Sequence, residues 1–352
     1  MAMDWDRPFS ASFRLALVDR ATGGESPAGD VLVEGGTLTR DDGTSTKESA
    51  SVTVVGSFDP DPMLVRLYAD VSQGGQTYPV ALGTFDAAVD RSSYDGSALS
   101  LSVSLDGRLS ELASDGFDAP FTVEAGTPPV AYAASIAEAA GFTVVSDPST
   151  FTLSQARSYG LDEDASKLDV INDLLDAAGF TAARTDEMGR LLLTRYMEPS
   201  ERPVVARYAS GTGSTLMEDV TDEADSSEIA NVVVVVYSTQ DATVVGTAVD
   251  SDPTSRWSTV ARGRRIVKRY RYDELVSQEE ADAKAAQLLA TAQSVVRHVT
   301  FSSPYRPVRL ADAVEVDVPE AGVSDSFAVR SQRVSLSAGM VVRTEARSYV
   351  RR

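Results

Sequence analysis

Residues 166–196 constrain the fold more than any other stretch, because their pattern predicts a helix, a strand, a turn and a second strand. Apolar side chains recur there at the three- and four-residue spacing of one helix face, while aspartates take the opposite face. Asp164 or Ser166 can cap the start of this helix, and Gly179 can adopt the left-handed conformation that ends it. Residues 186–189 supply the turn between the strands. The helix therefore has one face to bury against the rest of the chain.

The sequence AAGFT occurs at residues 139–143 and again at residues 177–181, each time after an amphipathic stretch. Pro128 and Pro129 mark the start of the earlier stretch, since proline is tolerated where the first helical N–H has no partner. The repeat predicts two helices that end in the same way. It fits a duplicated unit as well as an alanine-rich chain that ends two helices alike, and neither interpretation implies a catalytic site.

The chain of 352 residues exceeds the usual size of one hydrophobic core, so we expect roughly two to four domains. It contains no cysteine, which excludes disulfides, thiolate metal sites and cysteine nucleophiles. The N-terminus lacks the basic and then apolar pattern of a signal peptide. The longest aliphatic run, residues 232–236, is far too short to span a bilayer, so we expect no membrane insertion.

The net charge of −20 is unevenly distributed along the chain. Residues 256–352 carry 17 Lys and Arg against 11 Asp and Glu, a net charge of +6, which leaves −26 on residues 1–255. Such asymmetry predicts separate acidic and basic faces. The acidic excess argues against ordinary binding to the phosphate backbone of nucleic acids.

The strand pattern predicts an α+β protein that is mainly β, with two tube-like antiparallel β-barrels. Residues 1–112 form the N-terminal barrel, and residues 113–200 form an inserted α+β helix–strand module. Residues 201–352 form the second barrel with a second, helix-containing insertion. The helix of this insertion spans about residues 278–294 and begins with a capping box. The valine run at residues 231–237 is expected to be a strand that is buried on both faces.

A basic segment stands out in this acidic chain, at residues 262–271 with interleaved tyrosines. Its basic members are Arg262, Arg264, Arg265, Lys268, Arg269 and Arg271. Basic side chains among aromatics can bind single-stranded nucleic acid. Because the chain is so acidic, we favour a basic strand that meets an acidic neighbour, such as another subunit.

No residue pattern indicates an active site. The glycines at residues 211–213 lack the lysine of a phosphate loop, and the acids that follow lack the regular spacing of an EF-hand loop. We interpret these acids as a solvated loop: Glu218, Asp219, Asp222, Glu223, Asp225 and Glu228. The single histidine, His298, falls mid-strand, and no G-x-S-x-G motif accompanies it. We therefore predict no catalytic, cofactor-binding or metal-binding residues and no enzyme.

The order of barrel, helix–strand module, strand, helix and barrel resembles the baseplate hub or tail-tip hub of tailed bacteriophages. This architecture is shared with the hubs of contractile injection systems. Residues 167–196 resemble the family's helix followed by the pattern G…D..G.L, and residues 229–234 resemble a strand of the family. Residues 279–318 resemble its helix and the strands that follow, including LADAVEV. The match is one of pattern and order across most of the chain.

The resemblance implies a homotrimer in which each subunit supplies two barrels to a pseudo-sixfold ring. Such a ring adapts a hexameric tail tube to a threefold spike or fibre and lets DNA pass without specific binding. The implied partners are a distal tail or tail tube protein, a tape-measure protein and a spike or central fibre protein. The implied location is the virion tail tip, after assembly in the cytoplasm of the host bacterium. The module is expected at the periphery, with the barrels in contact between subunits.

The resemblance also bears on the acidic excess and on attached domains. A lumen that DNA traverses is expected to be acidic, because basic contacts would hold the phosphates. The candidate lumen acids are Asp41, Asp42, Glu48, Asp86, Asp90, Glu315 and Asp317. The simpler interpretation is that the charge of −20 keeps the protein soluble. The sequence ends after the second barrel, so we expect no lysozyme, peptidase or spike domain.

Two other functions fit the sequence. One is a non-enzymatic β-sandwich module for binding or recognition, and the other is a glycan-active enzyme. The many acids leave a carboxylate pair for glycoside hydrolysis open, but no spacing and no aromatic-rich groove singles out a pair. A trimer in solution favours the hub, whereas a monomer favours the other two.

Overall fold

The computed structural model describes residues 3–160, 166–197, 201–217, 219–224, 229–238, 242–255, 257–272, 277–293 and 295–350. Most regular structure within these ranges is β-strand, with few helices. The predicted α+β class with mainly β content is confirmed. The strands build two β-domains and a three-stranded insertion, and a helix–strand module accompanies them.

The first β-domain is an antiparallel sheet whose strands surround one hydrophobic core. Its strands are β1 (Ser10–Val18), β2 (Glu25–Pro27), β3 (Leu32–Asp41), β4 (Glu48–Val55), β5 (Leu64–Gln73), β6 (Gln76–Tyr94) and β7 (Leu99–Gly107). They pair in the order β3-β4-β7-β6-β5-β1-β2, and alternate side chains from all but β2 meet in the core. Among the described residues no ladder joins β1 to β3. The alternation in the sequence therefore places one face of each strand inside.

The helix–strand module packs its helices against short strands around a second core. Its elements are α1 (Leu109–Ser114), β8 (Phe121–Val123), α2 (Pro129–Ala139), β9 (Val144–Ser146), β10 (Arg157–Tyr159), α3 (Lys167–Ala177), β11 (Arg184–Thr185) and β12 (Leu191–Leu193). Ser166 caps α3 through a capping box with Asp169, whereas Asp164, the other predicted cap, lies outside the described residues. Gly141 and Gly179 follow α2 and α3 with positive φ, so the two AAGFT sequences do end two helices alike.

The second β-domain surrounds a third core. The remaining elements in chain order are β13 (Val204–Ala209), β14 (Thr221–Ala224), β15 (Val232–Ser238), β16 (Thr243–Val249), α4 (Thr259–Arg262), β17 (Val267–Tyr272), α5 (Gln278–Ala292), β18 (Val295–Pro304), β19 (Ala313–Val318), β20 (Val323–Ser335) and β21 (Val341–Val350). The second β-domain pairs in the order β14-β18-β21-β20-β19-β13. β13 runs parallel to β19, which differs from the fully antiparallel barrel expected from the sequence. Parallel strands need a long connection, and the insertion lies within it.

The insertion is a three-stranded sheet that α5 covers on one face. β15 lies between antiparallel β16 and parallel β17. Val233, Val235 and Tyr237 of β15 are buried against the small side chains of α5. Val234 and Val236, which point to the other side, are only half-buried. Of the two faces of β15 that the sequence predicted to be buried, one is therefore covered within the chain.

Strand β20 joins the two β-domains into one continuous sheet. Residues 323–328 of β20 pair with β19, and residues 331–335 pair with β3. A β-bulge between Val329 and Ser331 shifts the alternation of the strand. As a result Val329 is buried in the third core and Val334 in the first.

The turn between β11 and β12 lies at the junction of the two β-domains. The buried Arg66 of β5 donates from Nη2 to the carbonyl of Met188 at 2.9 Å. Arg309, which precedes β19, donates from Nε to the carboxylate of Glu187 at 2.8 Å. A buried guanidinium needs acceptors, and this turn supplies them. This part of the module therefore lies between the β-domains of one chain, and the place of the module at the periphery of an assembly stays a prediction.

Gly246→Ala is expected to destabilise the protein, because the start of α5 packs directly on β16 at this glycine. The added methyl carbon would lie 2.1 Å from the carbonyl oxygen of Ala281, a backbone atom that moves only with the helix. We expect the free energy of unfolding, measured by urea denaturation, to fall by about 1–3 kcal/mol. Gly339→Ala is the matched control, since no described atom lies within 4 Å of its added methyl. Equal losses in the two variants would contradict close packing at Gly246.

Candidate assembly interface

The basic segment at residues 262–271 is divided among a helix, a loop and a strand, which corrects the single strand predicted from the sequence. Arg262 ends the short helix α4, and its guanidinium lies 4.6 Å from the ring centre of Trp257. Two exposed members lie in the following loop, Arg264 and Arg265. Three members lie on β17, Lys268, Arg269 and Arg271. The positive charges therefore point in several directions.

A buried asparagine holds this segment in place. The side-chain amide of Asn231, which is fully buried, donates to the carbonyl of Arg264 at 2.9 Å and to that of Trp257 at 3.3 Å. Its Oδ1 accepts a hydrogen bond from the backbone N–H of Ile266 at 2.7 Å. Only an amide offers donors and an acceptor in this arrangement, so Asn231 ties the basic loop to the start of β15.

The insertion presents an open face on the side opposite α5, which we call the valine–arginine face. Its members are Val234, Val236, Val245, Val249, Arg269 and Arg271. The register places Arg269 beside Val234 and Arg271 beside Val236. Val245 is 44% exposed and Val249 is 45% exposed. Apolar side chains thus lie next to two guanidinium groups on an accessible sheet surface.

Four of the candidate lumen acids, apart from Glu48, form ion pairs within the chain. The pairs are Asp42–Arg184 at 2.9 Å, Asp86–Arg20 at 2.7 Å, Glu315–Arg207 at 3.4 Å and Asp317–Arg207 at 2.8 Å. The hydrogen bond from Arg207 holds the pKa of Asp317 below its ordinary value. Asp41 accepts from the N–H of Gly43 at 2.7 Å, and the exposed Asp90 accepts from the hydroxyl of Ser104. A lumen wall that contained these acids would also contain their arginine partners, so its net negative charge would be smaller than the number of acids suggests.

Glu48 lies inside the molecule, which corrects its assignment to a lumen. Its side chain is only 9% exposed and accepts a hydrogen bond from the hydroxyl of Thr185 at 2.9 Å. The closest approach to Arg40 is 3.9 Å. Burial raises the pKa of Glu48 to about 7, although Arg40 and Thr185 act in the opposite direction. With a pKa of about 7, this carboxyl group changes between its neutral and its charged form near neutral pH.

The other sequence candidates lie on ordinary strands. His298 of β18 has its Nδ1 3.3 Å from the carboxylate of Glu345. Asp222 and Glu223, predicted in a solvated loop, instead lie on strand β14, where Asp222 pairs with Arg297 at 2.7 Å. Three other acids of the predicted loop lie outside the described residues, Glu218, Asp225 and Glu228. Within the described ranges no cluster of three or more His, Asp or Glu could hold a metal ion. The helices described here are all too short or too polar to span a membrane.

Solved structures match this architecture over almost the whole chain. A tail protein from Neisseria meningitidis superposes with a TM-score of 0.64 at 15% identity, and the match covers 97% of both chains. The 43 kDa tail protein of a Shewanella oneidensis prophage gives a TM-score of 0.63 at 14% identity, covering 96% of this chain and 98% of that one. The chain has the phage tail-protein fold.

The tail-protein fold extends to injection systems. An Escherichia coli component of the type VI secretion system, described as structurally similar to the T4 bacteriophage tail proteins gp27 and gp5, matches with a TM-score of 0.51 at 12% identity. That match covers 96% of this chain and 77% of that one. The resemblance to tail-tip and baseplate hub proteins is therefore confirmed at the level of fold. No protein-family model and no curated protein matches the sequence.

Asn231→Ala is expected to loosen residues 257–266 on the tail-protein scaffold, because three hydrogen bonds of the buried amide are lost. We expect a loss of about 1–3 kcal/mol in the free energy of unfolding. Hydrogen exchange measured by mass spectrometry should accelerate in this segment. Thr243→Ala, at an exposed position of the same sheet, is the control and should leave the exchange unchanged. Unaltered exchange at residues 257–266 in Asn231→Ala would refute this role.

Glu48→Gln is expected to reduce the pH dependence of stability. Because the folded pKa of Glu48 is raised to about 7 from the ordinary value of 4.5, the folded chain keeps a proton there that the unfolded chain releases. The contribution of this group to wild-type stability therefore falls as pH rises from 4.5 to about 7, and stays low above that. The contribution of Glu48 to the free energy of unfolding falls by on the order of 3 kcal/mol over this pH range.

Urea denaturation from about pH 5 to pH 8 measures this effect. The difference in free energy of unfolding should shift in favour of Glu48→Gln as pH rises. Ser49→Ala, at the neighbouring exposed position of β4, changes no titratable group and should differ from wild type by a constant amount. A constant difference for Glu48→Gln as well would contradict the raised pKa.

Proposed function

We propose that this protein is a structural component of a phage tail, a baseplate or tail-tip hub that forms a trimeric ring. The observation that carries the proposal is the near-complete match to a tail protein, which covers 97% of both chains. Three copies with two β-domains each would supply six units around an axis. Such a ring fits between a sixfold tail tube and a threefold spike or fibre.

The valine–arginine face is the first proposed contact between subunits. It combines exposed valines with Arg269 and Arg271, whereas residues 1–255 carry a net charge of −26. Apolar area at the centre of an interface supplies affinity, and complementary charge selects the partner. A surface of a neighbouring copy that carries acids around an apolar centre would meet both requirements.

The second half of β6 is the second proposed contact. Residues 76–85 of β6 pair with β5 and residues 85–94 pair with β7. On the side away from β7, residues 86–94 have no strand partner among the described residues. Residues 88–94 are exposed, including Tyr94 at 69%. A free strand edge pairs readily with a strand of another chain, which suits a ring of identical subunits.

The ring is proposed to lie at the virion tail tip, after assembly in the host cytoplasm, and to let DNA pass without specific binding. Acids on the lumen would repel phosphate and leave the duplex free to slide. The acids that remain candidates are Asp41, Asp42, Asp86, Asp90, Glu315 and Asp317. The proposed partners are a distal tail or tail tube protein, a tape-measure protein, and a spike or central fibre protein. No catalytic activity is proposed for this chain.

Native mass spectrometry tests the assembly, and we expect a trimer of the 37.4 kDa chain. The double variant Arg269→Glu, Arg271→Glu should weaken trimerisation by about tenfold or more, because it places two carboxylates against an acidic surface. The double variant Arg7→Glu, Lys284→Glu changes the charge equally away from the valine–arginine face and should remain trimeric. A monomeric wild type would refute the hub. A trimer unaffected by the first variant would refute only this face as a contact.

A further inference from the structure

A cavity of about 360 Å³ lies where the module and the two β-domains meet. The connection between β3 and β4, the β11–β12 hairpin and the loop before β19 form its walls. Two lining residues, Lys47 and Ala311, have positive φ values of 62° and 66° although neither is glycine. Strained backbone of this kind is concentrated at functional sites, and the volume lies in the range of small-molecule sites.

The lining of this cavity is rich in basic side chains. Its cations are Arg40, Lys47, Arg184, Arg195, Arg202 and Arg309. Its acids are Glu48, Asp147, Glu187 and Asp312. Burial raises the pKa of Asp312 and raises that of Glu48 to about 7, so Glu48 neutralises the cations less fully than an exposed carboxylate would. The cavity is therefore a positively charged recess in a chain of net charge −20.

Two of the guanidinium groups have unused capacity for an anion. Arg202 donates only to the backbone carbonyls of Met197 and Ala311, and no described carboxylate lies within ion-pair distance of it. Arg184 binds Asp42 through Nη2, but its Nε is buried without a hydrogen-bond partner among the described residues. Burial and repulsion from Arg184 lower the pKa of Arg202. A negative charge in the cavity would relieve this repulsion between Arg184 and Arg202.

We propose that the cavity binds a small oxyanion, a phosphate or carboxylate group held by Arg184 and Arg202. The planar fork of a guanidinium matches both groups in geometry and charge. Because Arg184 belongs to the module and Arg202 precedes β13, the bound anion links the module to the second β-domain. The site lies within one subunit, so the proposal does not depend on trimerisation.

Isothermal titration calorimetry of the full-length chain tests the proposal, with inorganic phosphate and acetate as separate probes. Chloride at matched ionic strength is the reference. Direct heats of binding are needed because phosphate also stabilises proteins by exclusion from their surface. Tighter binding of phosphate assigns the site to a phosphate group, and tighter binding of acetate assigns it to a carboxylate.

Four variants test whether the anion binds in this cavity. Arg184→Gln and Arg202→Gln should each weaken binding by about 10- to 100-fold, the loss expected for one charge-assisted hydrogen bond. Thr194→Glu keeps both arginines and places a competing carboxylate in the cavity, so it should abolish binding even if the arginine variants fold poorly. Arg91→Gln, at an exposed position of β6, should bind as wild type does. No saturable binding to wild type, or unchanged affinity in Thr194→Glu, would overturn the proposal.

Discussion

The pairing of β20 with strands of both β-domains is the constraint on which the rest of the structure depends. One thirteen-residue strand has to contribute to two cores. The core side chains of β20 move from odd-numbered positions at Val329 to even-numbered positions at Val334. The bulge between Val329 and Ser331 makes this possible, because it inserts one extra residue. Without the extra residue, the strand would turn Arg333 and Ser335 inward, because a shift of one position exchanges the faces of a strand. The relative position of the two β-domains therefore follows in part from hydrogen bonds within one sheet.

The continuous sheet also explains why the module is polar where its β11–β12 hairpin contacts the two β-domains. A row of buried polar side chains crosses four adjacent strands where the first and third cores meet: Glu48, Arg40, Gln332 and Thr344. Buried polar groups need partners, and an unpaired buried charge costs several kcal/mol. The hairpin of the module supplies one of these partners, since Thr185 donates to Glu48. The carbonyl of Gly189 in the same hairpin accepts from another buried cation, Arg108, at 3.0 Å. Helices α2 and α3 bury their own core, so the turn between β11 and β12 is the part of the module on which the junction depends.

Features that depend on neighbours a few residues away were predictable from the sequence. The capping boxes of α3 and α5 and the strand at Ala313–Val318 are of this kind. The two partners of β20, the parallel β13–β19 pair and the burial of Glu48 were not predictable, because each depends on which distant segment lies alongside. Glu48 begins an ordinary alternating strand, and its hydrogen-bond partner Thr185 comes 137 residues later. The basic segment was predicted as one strand because its hydrogen bonds to Asn231, more than two dozen residues upstream, have no local signature.

The valine–arginine face limits the geometry of any contact that covers it. Burying Val245 and Val249 is favourable, but burying Arg269 and Arg271 without acceptors would cost more than the valines contribute. A partner surface must therefore bring carboxylates or carbonyls to the guanidinium groups, which excludes a basic or purely apolar partner. The same condition disfavours contact of this face with its own equivalent in a second copy, because neither copy would bring carboxylates to the arginines. A contact between identical chains through this face has to use a different surface on the neighbour. Such head-to-tail contacts produce rings or filaments instead of twofold dimers, and the trimeric ring proposed above requires a contact of this kind.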